Sequence, residues 1–121
     1  MTGPASPTSP ITTHVLDTAL GKPVKGVPIT LEAQQQPGGA WKEVGRGETD
    51  ANGRLQTLLA PAAFSAGRYR LTFHTEPHFA AVGVATFYPS VTVVFEVRNT
   101  AEHYHVPLLL SPYGYSTYRG S

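Results

Sequence analysis

Cysteine is absent from this chain, which removes disulfides, thiolate catalysis and cysteine-held metals together. Charge is scarce as well: Asp, Glu, Lys and Arg make up 14% of the 121 residues and sum to a formal +1. There is no basic stripe of the kind that neutralises phosphates, which argues against nucleic acid as a partner. There is no block of like charge either, which argues against a polyelectrolyte tail or a patch for anionic lipid. No glycine-rich loop opens a helix in the manner of a nucleotide site, so no phosphate cofactor is expected. Residues Met1 to Pro10 lack the basic start and apolar run of a secretory signal. With Pro4, Pro7 and Pro10 set among small polar residues, they read as a disordered leader ahead of one domain over residues 11–121. The default compartment is the cytoplasm.

What the chain has in quantity is punctuation. From Ile11 onward, Gly, Pro, Asn or Asp recur about every eight to twelve residues, the spacing of many short strands. Strands are predicted at Ile11 to Asp17, Val27 to Gln34, Trp41 to Glu48, Arg54 to Leu58, Arg68 to Thr75, Val91 to Arg98, His103 to Leu110 and Tyr115 to Arg119. The alternation is plainest at Val91, Val93, Phe95 and Val97, which share one face, with Thr92, Val94, Glu96 and Arg98 on the other. Asn52-Gly53 supplies the positive φ of a tight reversal. Only Glu76 to Val84 breaks the rhythm: Pro77 suits a first helical turn, and Phe79, Ala80 and Val82 form an apolar stripe before Gly83. Eight strands with antiparallel reversals and one short helix close their apolar faces most simply as two packed sheets, so the class is all-β and the architecture a β-sandwich.

Three stretches carry polar residues of a catalytic kind. They are Thr13-His14-Val15-Leu16-Asp17, then Asn52-Gly53-Arg54, and finally His103-Tyr104-His105-Val106-Pro107-Leu108 with the closing Tyr118-Arg119-Gly120-Ser121. Taken together they resemble the signature of the 5-hydroxyisourate hydrolases, also called transthyretin-related proteins, and the resemblance covers nearly all of Ile11 to Ser121. It implies a transthyretin-like eight-stranded antiparallel β-sandwich with one short helix. It also implies cofactor-free hydrolysis of 5-hydroxyisourate to 2-oxo-4-hydroxy-4-carboxy-5-ureidoimidazoline in urate breakdown. The family assembly would be a homotetramer, a dimer of dimers, with sites in the channel between dimers. Position by position, the resemblance marks His14, Arg54, His105 and Ser121 as catalytic, with Arg54, Tyr118 and Arg119 binding substrate.

The chemistry calls for such residues. Opening a cyclic acyl bond with water needs a base for the water proton, donors for the oxyanion and an acid for the departing nitrogen. Imidazole titrates near neutrality, so two histidines can divide the base and acid roles, in either order. The planar fork of Arg54 suits carbonyl oxygens. Ser121 offers a hydroxyl or, as the last residue, a carboxylate to orient a histidine or the water.

Plainer readings compete with these. His103 and His105 share a strand face, which raises a His-x-His metal pair, but no third ligand follows from spacing and no metal site is expected. His74 and His78 read as solvated or capping groups beside the helix. Asp17 and Asp50 sit in turn chemistry and read as structural. Trp41 and the tyrosines at 69, 88, 104, 113 and 115 read as core or interface aromatics. Two other function classes stand beside the hydrolase: a transthyretin-like channel that binds a planar ligand, and a structural sandwich for protein contacts.

Overall fold

The computed structural model describes residues 8–121. Its strands are β1 (Ile11–Asp17), β2 (Lys22–Pro23), β3 (Pro28–Gln34), β4 (Trp41–Glu48), β5 (Arg54–Leu55), β6 (Gly67–Phe73), β7 (Val91–Val97), β8 (Tyr104–Ser111) and β9 (Gly114–Thr117). One helix, α1, covers Glu76–Ala81, and a 3-10 turn covers Pro61–Ala63. One sheet runs β2-β1-β8-β9, with β5 also paired to β1; the other runs β4-β3-β6-β7.

Period-two alternation places the core. Ile11, Thr13 and Val15 of β1 and Val106, Leu108 and Leu110 of β8 point inward, meeting Ile29, Leu31, Tyr69, Leu71, Phe73, Val91 and Val97 from the facing sheet. Phe79 is the one fully buried residue of α1, closing an end of the sandwich. The helix stops after Ala81 because Gly83 takes φ 70° and its amide turns back to the Ala80 carbonyl.

The all-β sandwich with a single α-helix is as expected, though nine strands form among the described residues where eight were predicted and the last ends at Thr117 rather than Arg119. Two further differences have a physical reason. The pairing of β1 with β8 is parallel, from Ile11 opposite Tyr104 to Asp17 opposite Leu110. A parallel pair needs a long crossover, and the whole second sheet supplies it. The other difference is length: β5 ends at Leu55 rather than Leu58, because the chain then leaves the ladder to bury Leu58 and Leu59 in the core.

The expected leader falls mostly on residues 1–7, outside the described residues. Ser9 is instead built into the fold, 2% exposed. Its hydroxyl donates to the Ile11 carbonyl and accepts from the Leu59 amide, and its own amide donates to the Gln56 carbonyl. The ordered domain therefore begins ahead of Ile11. Among the described residues, no helix is long and apolar enough to cross a membrane.

Candidate active site

The register of β1 assembles the site. On its inner side chains alternate into the core, which sends Thr12, His14 and Leu16 to the outer face of the five-stranded sheet. Along one edge of β1, His14 lies directly opposite Arg54 of β5, an antiparallel pair whose side chains stand about 5 Å apart at Cβ on the same face. Along the other edge, the parallel register sets Thr12 opposite His105 and His14 opposite Pro107 of β8. Two rows thus run across the sheet. Arg54, His14 and Pro107 form one; Thr12 and His105 form the other, about 7 Å away along the strands.

The turn before β5 is shaped for this docking. Gly53 has φ 75°, and a Cβ there would stand 2.5 Å from the Val15 carbonyl oxygen, so no side chain fits. The Val15 amide donates to the Gly53 carbonyl at 2.8 Å. Asp50 holds the turn from inside, its Oδ1 accepting from the amides of Asn52 and Arg54, and these bonds keep its carboxyl below the usual carboxylate range. Asp50 is structural, as its turn setting implied.

Each histidine has one nitrogen engaged. His14 Nε2 lies 2.8 Å from the Asn52 carbonyl, which can only accept; the proton therefore sits on Nε2 and the Nδ1 lone pair is free. His105 Nδ1 lies 2.8 Å from the Thr12 hydroxyl. The same hydroxyl lies 3.1 Å from His103 Nε2, and the two imidazoles stand nearly parallel with centroids 6.4 Å apart. Burial, followed by the charges of Arg54, His103 and His14, holds the His105 pKa below the ordinary imidazole value. His105 is thus a neutral ring in a locally positive setting. Among the described residues, no group of three or more His, Asp or Glu is arranged to hold a metal ion.

The end of the chain meets this face through Gly120. It forms a bridge with His105, its amide donating to the His105 carbonyl at 2.8 Å. Ser121 follows one residue beyond and is exposed. Carrying the β8–β9 register one step past Leu108 and Thr117 sets Tyr118 across from Pro107, in the row of His14 and Arg54.

Arg119 does not join them. Its guanidinium lies over the Tyr104 ring, 4.3 Å from the centroid, and its Nη2 donates to the His103 carbonyl at 3.2 Å and meets Glu102 at 3.5 Å. Tyr104 points into the core, so Arg119 braces the segment entering β8 rather than facing the histidines.

Two features escaped the sequence. Thr12 precedes His14 by two residues, so it shares its face, but its link to the β8 histidines depends on the parallel pairing. His78 is not a solvated or capping group: its Nε2 pairs with the buried Asp17 carboxylate at 2.8 Å.

The HIUase/transthyretin family model matches residues 11–120. The chain is 44% identical over 117 residues to 5-hydroxyisourate hydrolase of Mus musculus, covering 97% of this chain and 99% of that one. Among solved structures, it resembles Klebsiella pneumoniae 5-hydroxyisourate hydrolase with TM-score 0.77 and 33% identity, over 95% of this chain and all of that one. It also resembles sea bream transthyretin in complex with thyroxine, with TM-score 0.85 and 32% identity, over 92% of this chain and 94% of that one.

Proposed function

The chain belongs to the HIUase/transthyretin family, and from that membership and the facing of His14, Arg54 and His105 we propose that it hydrolyses 5-hydroxyisourate without a cofactor. The observation that carries the reading is the row of Arg54 and His14 set beside His105 on one sheet face, with no carboxylate among the three. A ring rich in carbonyl oxygens is the complement of such a face.

The reaction is the opening of a cyclic amide by water. His105, kept neutral by burial and neighbouring positive charge, takes a proton from the attacking water at Nε2. Arg54 receives the carbonyl oxygen as negative charge develops on it. His14, with Nδ1 free, accepts from the water or a ring N–H and orients it. As the carbon–nitrogen bond breaks, His105 returns its proton to the departing nitrogen. We assign Tyr118 to walling the substrate and Ser121 to orienting the water, both carried by the segment that Gly120 docks on His105. Arg119 serves by holding His103 and Tyr104 in place.

The face is open on a single chain. A homotetramer, a dimer of dimers with its sites between dimers, would cover it and exclude water from the substrate. Exposed apolar residues suited to such contacts are present in Leu20, Phe87, Tyr113 and Tyr115.

The test is to generate 5-hydroxyisourate from urate with a urate oxidase and follow its ultraviolet absorbance with and without the protein. Loss faster than spontaneous decay, abolished by His105→Asn, supports the reading. No acceleration by the folded protein overturns it and favours a channel that binds a planar ligand.

A further inference from the structure

We propose that Thr12 and His103 are positioning residues for this hydrolysis: the single hydroxyl hydrogen of Thr12, shared between His103 Nε2 and His105 Nδ1, decides which nitrogen of His105 carries the lone pair. The proposal rests on the hydrolase reading for its catalytic meaning, and on geometry alone for the coupling.

Thr12 is 2% exposed although it lies on the outer face, so its hydroxyl is largely shut off from water. It contacts two ring nitrogens, at 2.8 Å and 3.1 Å, and has one hydrogen to give. With both rings neutral, satisfying both contacts requires one nitrogen to donate and the other to accept. Two arrangements do this.

In the first, the hydroxyl donates to His103 Nε2 and accepts from His105 Nδ1–H. Both rings then carry their proton on Nδ1, and His105 Nε2 is a base. In the second, the hydroxyl donates to His105 Nδ1 and accepts from His103 Nε2–H. Both rings then carry the proton on Nε2, and His105 has no lone pair for the water. The two histidines share one tautomer, and only the first arrangement activates water.

The same contacts move charge. When His105 gains a proton at Nε2, its Nδ1 proton passes to the Thr12 oxygen and the hydroxyl proton passes to His103 Nε2. One proton has arrived and one positive charge now rests on His103. The return of the proton to the departing nitrogen runs the sequence backwards. The charge leaves a half-buried ring beside Arg54 and His14 for an exposed ring. Two charged groups flank His103. Glu102 precedes it in the chain, while Arg119 is occupied by Glu102, the His103 carbonyl and the Tyr104 ring.

Protonating His103 from solvent has the opposite effect. Its Nε2 must then donate to Thr12, which turns the hydroxyl toward His105 Nδ1 and drives the His105 proton to Nε2. A proton on His103 thereby takes the lone pair from His105 Nε2.

The experiment is nitrogen-15 NMR of the imidazoles in the full chain, run beside the absorbance assay, on wild type, Thr12→Val, Thr12→Ser and His103→Ala. In wild type both rings are expected as the Nδ1–H tautomer, the His105 proton position depending on the contact of Thr12 with His103. Thr12→Val, which keeps the shape, and His103→Ala, at an exposed position, should each free the His105 tautomer from that dependence. Both should lower kcat about tenfold to a hundredfold with KM within about twofold, while Thr12→Ser restores both readouts. Different tautomers on the two rings of wild type, or a His105 tautomer unchanged in Thr12→Val and His103→Ala, would overturn the proposal. If the rings are coupled but no 5-hydroxyisourate is consumed, the hydrolase reading has failed and the Thr12 coupling stands.

Discussion

The backbone of Gly120 lies against the imidazole of His105: a Cβ at that glycine would stand 2.6 Å from the ring Cδ2 and 3.2 Å from Pro107 Cγ. The end of the chain and the proposed base therefore fix each other. Gly120→Ala forces the ring aside while leaving the core untouched, because Gly120 is outside the buried cluster. A displacement of the order of 1 Å in a reacting group can cost about a hundredfold in rate. The expected result is kcat lowered about tenfold to a hundredfold, with circular dichroism and thermal midpoint little changed. Wild-type turnover in Gly120→Ala would separate the ring position from catalysis.

Replacing either histidine tests the division of labour. His105→Asn removes the proposed base and should lower turnover on the order of a hundredfold or more. His14→Gln, whose amide N–H reaches about the Nε2 position, can still donate to the Asn52 carbonyl, so the turn before β5 is retained while the free Nδ1 lone pair is lost. It should lower turnover on the same scale, checked by steady-state absorbance against spontaneous decay. A variant that keeps most of its rate takes that histidine out of the mechanism.

Arg54→Lys keeps the charge and loses the fork. A point ammonium does not reproduce the paired donors of guanidinium, so kcat/KM should fall at least about tenfold. The turn itself is held through the Arg54 backbone amide and Gly53, which the substitution leaves alone. Unchanged kcat and KM would count against Arg54 as the oxyanion donor.

The strands and the three polar stretches were legible because each depends on near neighbours in the chain. Period-two alternation is local, and it placed Ile11 to Asp17 and Trp41 to Glu48 at the observed bounds and Val91 to Arg98 within one residue of them. His14, Arg54 and His105 stood out through motif context, since nothing local distinguishes a lone histidine on a strand. What stayed hidden depends on contacts between distant residues. The two residues of β2 have too little pattern to be seen, and the β1–β8 pairing joins residues about ninety apart, beyond any hairpin signal. Thr12 gains its two histidine partners only through that pairing, and His78 meets Asp17 only once α1 has packed. Arg119, next to Tyr118 in the closing motif, turns to the Tyr104 side because successive side chains alternate.

The Asp17–His78 pair predicts how stability responds to acid. Burial opposes ionisation of Asp17, but the His78 hydrogen bond and the Leu20 and Ala19 amides outweigh it and bring its pKa below the ordinary value. The folded state therefore binds its proton less readily than the unfolded chain. The stabilisation is complete above the unfolded carboxylate pKa, near 3.9, and disappears as pH falls through the lower folded value. His78→Ala leaves Asp17 Oδ2 without its partner and should cost about 1–3 kcal/mol in urea denaturation at neutral pH. Turnover should persist, since Asp17 faces the core, opposite to the face that carries His14. Equal stability of the variant and wild type at neutral pH would show that the buried carboxylate does not rely on His78.

The pH profile of turnover follows from the direction of the His105 shift. A neutral base loses activity on acidification, and burial with the charges of Arg54, His103 and His14 holds its pKa below about 6.5, so its own titration would set an acid limb below that value. Arg54→Gln removes the largest of these charge contributions. The His105 pKa should then rise toward its ordinary value, moving that limb upward in pH even as the rate falls. The sign is diagnostic: if Arg54 only bound substrate, the limb measured in kcat/KM would keep its position while KM rose. A limb displaced to higher pH in Arg54→Gln would tie the guanidinium to the base electrostatically, and a limb that stays fixed would leave it with a binding role alone.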